Sequence, residues 1–159
     1  MTRLISALLA LTFVACGGAQ GSASSGDEFS GPNELDFLVT TPVRRQMPPE
    51  RHRGTARVVS DDGSTITLEL RMVDQGDVCT ITAARSEGAM PVSPAQCSSR
   101  FVYEENPTAA IVSIREGTVT VGDGALEVEL SGDFTANVQQ GEGVSAVSGV
   151  AQWRFSGTR

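Results

Sequence analysis

The sequence has no lysine, only one histidine, and few aromatic residues, with one tryptophan and one tyrosine among them. Each shortage closes a class of function. A phosphate-binding loop needs a Lys-Ser/Thr pair behind its glycines and a helix after them, and Gly141-Glu142-Gly143 is followed by neither. A hydrolase needs a nucleophile with a base beside it, and no Gly-x-Ser-x-Gly elbow is present. The one histidine, His52, lies in the proline-broken basic stretch from Arg44 to Arg53 and reads as an exposed loop residue. The acid pairs Asp61-Asp62, Asp74 with Asp77, and Glu104-Glu105 read as solvated turn residues, and Asp61-Asp62-Gly63-Ser64-Thr65 lacks the ligand series of a calcium loop. No catalytic residue, metal or cofactor is therefore expected, and the chain reads as a non-enzyme. That all twelve basic residues are arginine we take as the mark of a GC-rich genome, with no function attached.

Positive charge is also short overall. The formal net charge is −7, which argues against nucleic acid or anionic lipid as the main partner and chiefly favours solubility. What the chain does have begins at its first residues. Arg3 precedes an apolar run from Leu4 to Val14, broken only by Ser6 and Thr12, and then Ala15-Cys16-Gly17-Gly18. One positive charge, an apolar stretch too short to span a bilayer and a small residue before a cut is the build of a secretory signal. The positions Phe13-Val14-Ala15-Cys16 resemble the bacterial lipobox, with Phe13 where leucine is usual. The resemblance implies diacylglycerol on Cys16 through a thioether, cleavage before it and acylation, palmitate included, of its new amino group, giving the several chains that stable anchoring requires. Gly17 rather than aspartate after the cysteine implies the outer membrane if the cell is Gram-negative. The alternative is an ordinary signal peptide cut near Ala15, Ala19 or Ala23, releasing a soluble secreted or periplasmic protein.

With Cys16 taken by lipid, Cys79 and Cys97 remain as one even pair in an oxidising compartment, and a disulfide is expected. A two-cysteine metal site is the competing reading, but neither cysteine has a histidine or second cysteine at ligand spacing. Loss of Arg3 with the signal takes the net charge from −7 to −8. From Gly17 to about Pro32 the chain is rich in glycine, serine and alanine, with Phe29 its one large apolar residue. The division expected is a signal peptide over 1–15, Cys16 with a disordered tether over 16–33, and one domain over 34–159.

In that domain the pattern is period two. Ile66, Leu68, Leu70 and Met72 oppose Thr65, Thr67, Glu69 and Arg71, as Leu126, Val128 and Leu130 oppose Glu127 and Glu129, and Ala151, Trp153 and Phe155 oppose Gln152 and Arg154. Weaker runs cover 55–60, 78–84, 100–103, 109–115, 118–121 and 134–138. Leu35-Asp36-Phe37-Leu38-Val39 reads as an edge strand or a strap, and Pro42, Pro48 and Pro49 forbid regular structure up to Glu50. Turns are expected at Asp62-Gly63, Gln75-Gly76, Glu87-Gly88, Glu116-Gly117, Gly122-Asp123-Gly124 and Gly141-Glu142-Gly143. No window of a dozen residues has a helical period. The fold expected is all-β, a single small antiparallel meander forming an up-and-down or partly open barrel of about eight strands, with a β-sandwich as the alternative. Cys79, in phase with Ile81 and Ala83, belongs to the core face, and its bridge to Cys97 is expected to pin the loop 88–96 across adjacent strands.

Arg44, Arg45, Arg51, Arg53 and Arg57, with His52 among them, concentrate positive charge in an otherwise acidic chain. They form the candidate contact surface, suited to phosphate, lipopolysaccharide or another acidic envelope partner or polysaccharide. The plainer alternative is that they pair with the domain's own acids. The mature chain resembles the many uncharacterised β-rich bacterial envelope lipoproteins, which implies a lipid-anchored protein that binds or scaffolds. Two further readings stand beside it: a small-ligand carrier of lipocalin-like type, and a likeness in architecture alone to periplasmic barrel-type protease inhibitors, which carries no residue-level motif.

Overall fold

The computed structural model describes residues 22–141 and 143–159. The period-two segments become strands β1 (Glu28–Thr41), β2 (Arg45–Gln46), β3 (Glu50–Asp61), β4 (Thr65–Met72), β5 (Val78–Ala84), β6 (Met90–Pro91), β7 (Ala95–Tyr103), β8 (Asn106–Val121), β9 (Ala125–Gln140) and β10 (Gly143–Thr158). Eight of them are long, and they pair antiparallel in the order β5-β4-β3-β1-β10-β9-β8-β7. β2 adds to β1 and β6 to β8. The result is an up-and-down barrel, nearly closed, with one unsealed seam between β5 and β7. Closure between first and last strands is by a full ladder, with Leu35 opposite Trp153 and Phe37 opposite Ala151.

Long strands consecutive in the chain run in opposite directions, so the barrel has two distinct ends. The turns 62–64 and 122–124, the start of β1 and the finish of β10 lie at one, here termed the terminal end. The excursion 42–49, the turns 73–77 and 104–105, the finish of β9 and the start of β10 lie at the other, the distal end.

An eight-stranded barrel has an interior just wide enough for side chains to fill. Here Leu35, Ile66, Leu68, Leu70, Ile81, Val112, Val128 and Trp153 all point inward and are buried. Phe37, Phe101 and Phe134 meet at the centre, with ring centroids 4.8, 5.1 and 5.4 Å apart. Such aromatic contacts add to the area they bury. Gly149 makes room for them: a Cβ there would stand 1.9 Å from the Leu38 carbonyl oxygen and 2.9 Å from the Phe134 ring. No side chain fits that position without moving β1 away.

Several expectations are corrected. The tether does not run to residue 33. β1 begins at Glu28, Phe29 is fully buried, and Ala23 already packs on the core. Residues 28–33 escape a composition argument because a strand paired on both sides can carry small polar residues on its outer face. Leu35 to Val39 is no edge or strap, since β1 is flanked by β3 and β10. The proline-rich stretch is not wholly irregular: Val39 pairs with Arg45, and Met47 is buried with its N–H on the Phe37 carbonyl at 2.9 Å. Glu116-Gly117 is not a turn but sits at a bulge between Ile114 and Glu116, which lets β8 run on to Val121.

Candidate functional site

The disulfide forms as expected and crosses the seam. Cys79 of β5 and Cys97 of β7 are bonded, with their Cα atoms 4.8 Å apart. No β-ladder joins the two strands along the seam. Toward the terminal end it is closed by a bridge between Ala83 and Val92 and by the Ser93 N–H on the Thr82 carbonyl at 2.8 Å. The cysteine pair thus does for β5 and β7 what backbone hydrogen bonds do elsewhere. Cys16 lies outside the described residues.

Around the distal start of β3 and the seam several inward positions are polar. On β3 the even positions face inward, so Glu50 and His52 continue the row of Ala56 and Val58. On β5 the same phase carries Asp77 one step before Cys79, and on β7 it places Ser99 between Cys97 and Phe101. On β1 it gives Asn33, directly opposite His52. Glu50 holds this group together. Its Oε1 accepts the Val102 N–H of β7 at 3.1 Å, across the seam, while its Oε2 lies 3.6 Å from His52 Nε2. Gln75 Nε2 donates to His52 Nε2 at 2.9 Å, and Asp74 stands 3.9 Å from Nδ1. Burial pushes the Asp77 carboxyl above its usual range, against the pull of Arg100, 3.8 Å away, and of His52.

Buried polar atoms normally find partners. Four side-chain atoms here do not find one in the protein: Asn33 Nδ2, Gln75 Oε1, Asp77 Oδ2 and Ser99 Oγ. All belong to this distal group. Asn33 Oδ1 is satisfied, accepting the Trp153 Nε1–H. The group has the makings of a hydrogen-bonding site, with acceptors and a donor left over. The His52 ring accepts from the Gln75 amide, and no serine or cysteine hydrogen-bonds it among the described residues. Nor is any group of three or more His, Cys, Asp or Glu among the described residues placed to hold a metal ion.

His52 is therefore not the exposed loop residue expected. Pro48 and Pro49 end the irregular stretch two residues before it, and its side chain is 16% exposed on an inward position of β3. The arginines around it do not form one surface. Arg51, Arg53 and Arg57 point outward along β3, whereas Arg44 and Arg45 stand on the distal excursion. Arg51 bonds Glu34 at 3.1 Å and Arg45 lies 3.8 Å from Glu104. Arg57 sits in register with Glu28 on one side and Glu69 on the other. Two of the five arginines, Arg45 and Arg51, are thus met by the domain's own acids, and Arg44, Arg53 and Arg57 have no carboxylate in salt-bridge range among the described residues.

The acid pair at the terminal end is also structural. Arg85 hydrogen-bonds Asp61 and lowers its pKa, helped by the Gly63 N–H. The Asp62 carboxylate accepts the N–H groups of Thr65 and Ser64 and both their hydroxyls, which together hold it far below the usual range. Sequence reasoning missed Glu50, Gln75, Asp77, Ser99 and Asn33 as a group, although the period-two phase that places Cys79 and Cys97 inward reaches Asp77 and Ser99 in one step. A hollow of about 440 Å³, open to solvent, lies on the outer wall and is lined by Glu116, Thr118, Glu129, Gln152 and Arg154. No protein-family model matches the chain, and no curated protein does either.

Proposed function

We propose that the protein is a lipid-anchored, non-enzymatic component of the cell envelope, acylated on Cys16 and placed in the outer membrane, that works by binding or scaffolding. The observation that carries the reading is the position of the chain's entry. The strand that follows Cys16 in sequence enters at the terminal end, beside the end of β10, and leaves the whole distal end free for contact. A filled interior supports binding on the surface in preference to a carrier role, because a barrel packed with side chains offers a small ligand no room. Arg44 and Arg45, at the distal rim, are the basic residues best placed to meet an acidic partner or polysaccharide.

The test is fatty-acid labelling of the full-length precursor in a bacterial host, followed by membrane fractionation, for wild type and Cys16→Ser. Label and membrane association are expected in the wild type and in neither form of the variant. An unlabelled wild type recovered in the soluble fraction refutes the lipid anchor.

A further inference from the structure

The segment between Cys16 and the barrel is much shorter than its composition suggests. The residues from Ser22 to Asp27 are fastened to the terminal end. Arg159, at the end of β10, donates to the Ser22 carbonyl, lies 3.3 Å from Asp27 and stands over the Phe29 ring at 5.3 Å. Arg85, leaving β5, donates to the Ala23 carbonyl at 3.2 Å. Ser25 Oγ donates to the Val59 carbonyl at 3.1 Å, the Gly26 N–H to the Val58 carbonyl at 2.8 Å, and the Val58 N–H returns to Asp27 at 2.8 Å. Contacts from β3, β5 and β10 converge on six residues, and Ala23 is buried beneath them.

Only the five residues Gly17 to Gly21 separate Cys16 from Ser22. At most about 3.5 Å per residue, the six steps reach roughly 20 Å. The barrel is taller than that: 16-residue strands such as β9 and β10, rising about 3.3 Å per residue and tilted as barrel strands are, give a height of about 40 Å.

Resting on the lipid anchor proposed above, we infer that the protein stands end-on at the membrane, its terminal end against the lipid headgroups and its distal end turned away toward its partners. The length of the tether sets this orientation. Val43, Val73, Val78, Val102 and Val144 are exposed around the distal end beside the acids Asp74, Glu104 and Glu105, whereas the terminal end presents Val59 with Asp62 and Asp123. Anchoring at Cys16 holds the end richer in exposed valines away from the lipid.

The experiment uses the lipidated full chain in vesicles containing a headgroup-labelled quencher, with a fluorophore on one introduced cysteine: Asp123→Cys at the terminal end, Gln152→Cys on the β10 wall, or Val144→Cys at the distal end. Fatty-acid incorporation and vesicle flotation are measured on the same samples. Quenching at position 123 several-fold above that at 152, and none at 144, is expected. Flotation with quenching strongest at 152 means a barrel lying on its side, and with quenching strongest at 144 a barrel inserted by its valines. Either overturns the orientation and leaves the anchor standing. Failure to incorporate fatty acid or to float overturns both.

Discussion

Replacing Cys79 and Cys97 together by alanine tests what holds the seam. The bond closes a loop with a sequence separation of 18, for which the chain-entropy relation gives roughly 3 kcal/mol. For a domain of this size that is a fall in Tm of about 10 °C. The number alone does not distinguish the seam from any other site of the bond, but the location of the loosening does. β5 and β7 have no ladder between them, so removing the bond leaves the seam with the Ala83 to Val92 bridge at one end and the contacts of Glu50 and Asp77 at the other. Amide hydrogen exchange should therefore rise first in the β4–β5 and β7–β8 ladders that border the seam, while the β1 to β10 and β9 to β10 ladders keep their protection down to global unfolding. Thermal melts followed by circular dichroism, paired with exchange read by mass spectrometry, give both quantities on one preparation. A Tm unchanged within about 3 °C, or exchange that rises evenly around the barrel, would refute the reasoning.

Two further outcomes follow from the charged groups. Asp77 has a folded pKa raised by burial, so its ionised form costs stability at pH values above that pKa, and the cost disappears as pH falls below the unfolded value of about 3.9. Asp77→Asn is expected to be more stable than wild type in urea titrations at pH 7 and equal to it near pH 3; a variant less stable at pH 7 would mean that the Arg100 contact outweighs burial. Asp62 has the opposite sign: its folded pKa is depressed by the turn's donors, so its stabilisation is present above pH 4 and is lost as pH falls toward the folded value. Asp62→Ala should lower the melting temperature at pH 7 and narrow the gap on acidification, and a gap independent of pH would show that the carboxylate's charge contributes nothing.

How legible the structure is in the sequence depends on what each residue has to satisfy. The inward rows of β4, β9 and β10 are plain because alternation is the only way a two-faced strand buries one face. The barrel and the number of long strands follow from that alternation and from short turns, and the cysteine pairing from the even pair that remains once Cys16 is set aside. β1 is harder, since Gly31, Pro32 and Asn33 look like linker. The requirement they meet lies on another strand: a Cβ on residue 31 would stand 1.9 Å from the Ser156 carbonyl oxygen, and Asn33 exists for the indole of Trp153. Glu116-Gly117 misleads for a similar reason, because a bulge and a turn ask for the same residues. The distal polar group is harder to read because acids ordinarily stand at the surface. Asp77 and Ser99 are in phase with Cys79 and Cys97, and phase outranks polarity when the neighbouring strand end leaves room for a carboxylate to reach Arg100. The arginine stretch was visible as a cluster in sequence only, since alternation throws neighbouring residues to opposite faces.

The closing of β1 against β10 has a consequence for how this chain is assembled. The first strand of the barrel is completed by the last, more than a hundred residues later in the chain. Until β10 arrives, β1 offers a bare edge that invites pairing with other chains. If the chain is exported N-terminus first, as the proposed lipid anchor requires, β1 crosses the membrane well before the barrel has the strand that makes it whole. Truncation within the final sixteen residues should be far more harmful than its small share of the length suggests, whereas a cut in the loop between β5 and β7, where the circle is already open, is the natural place to divide the protein into two halves that reassociate.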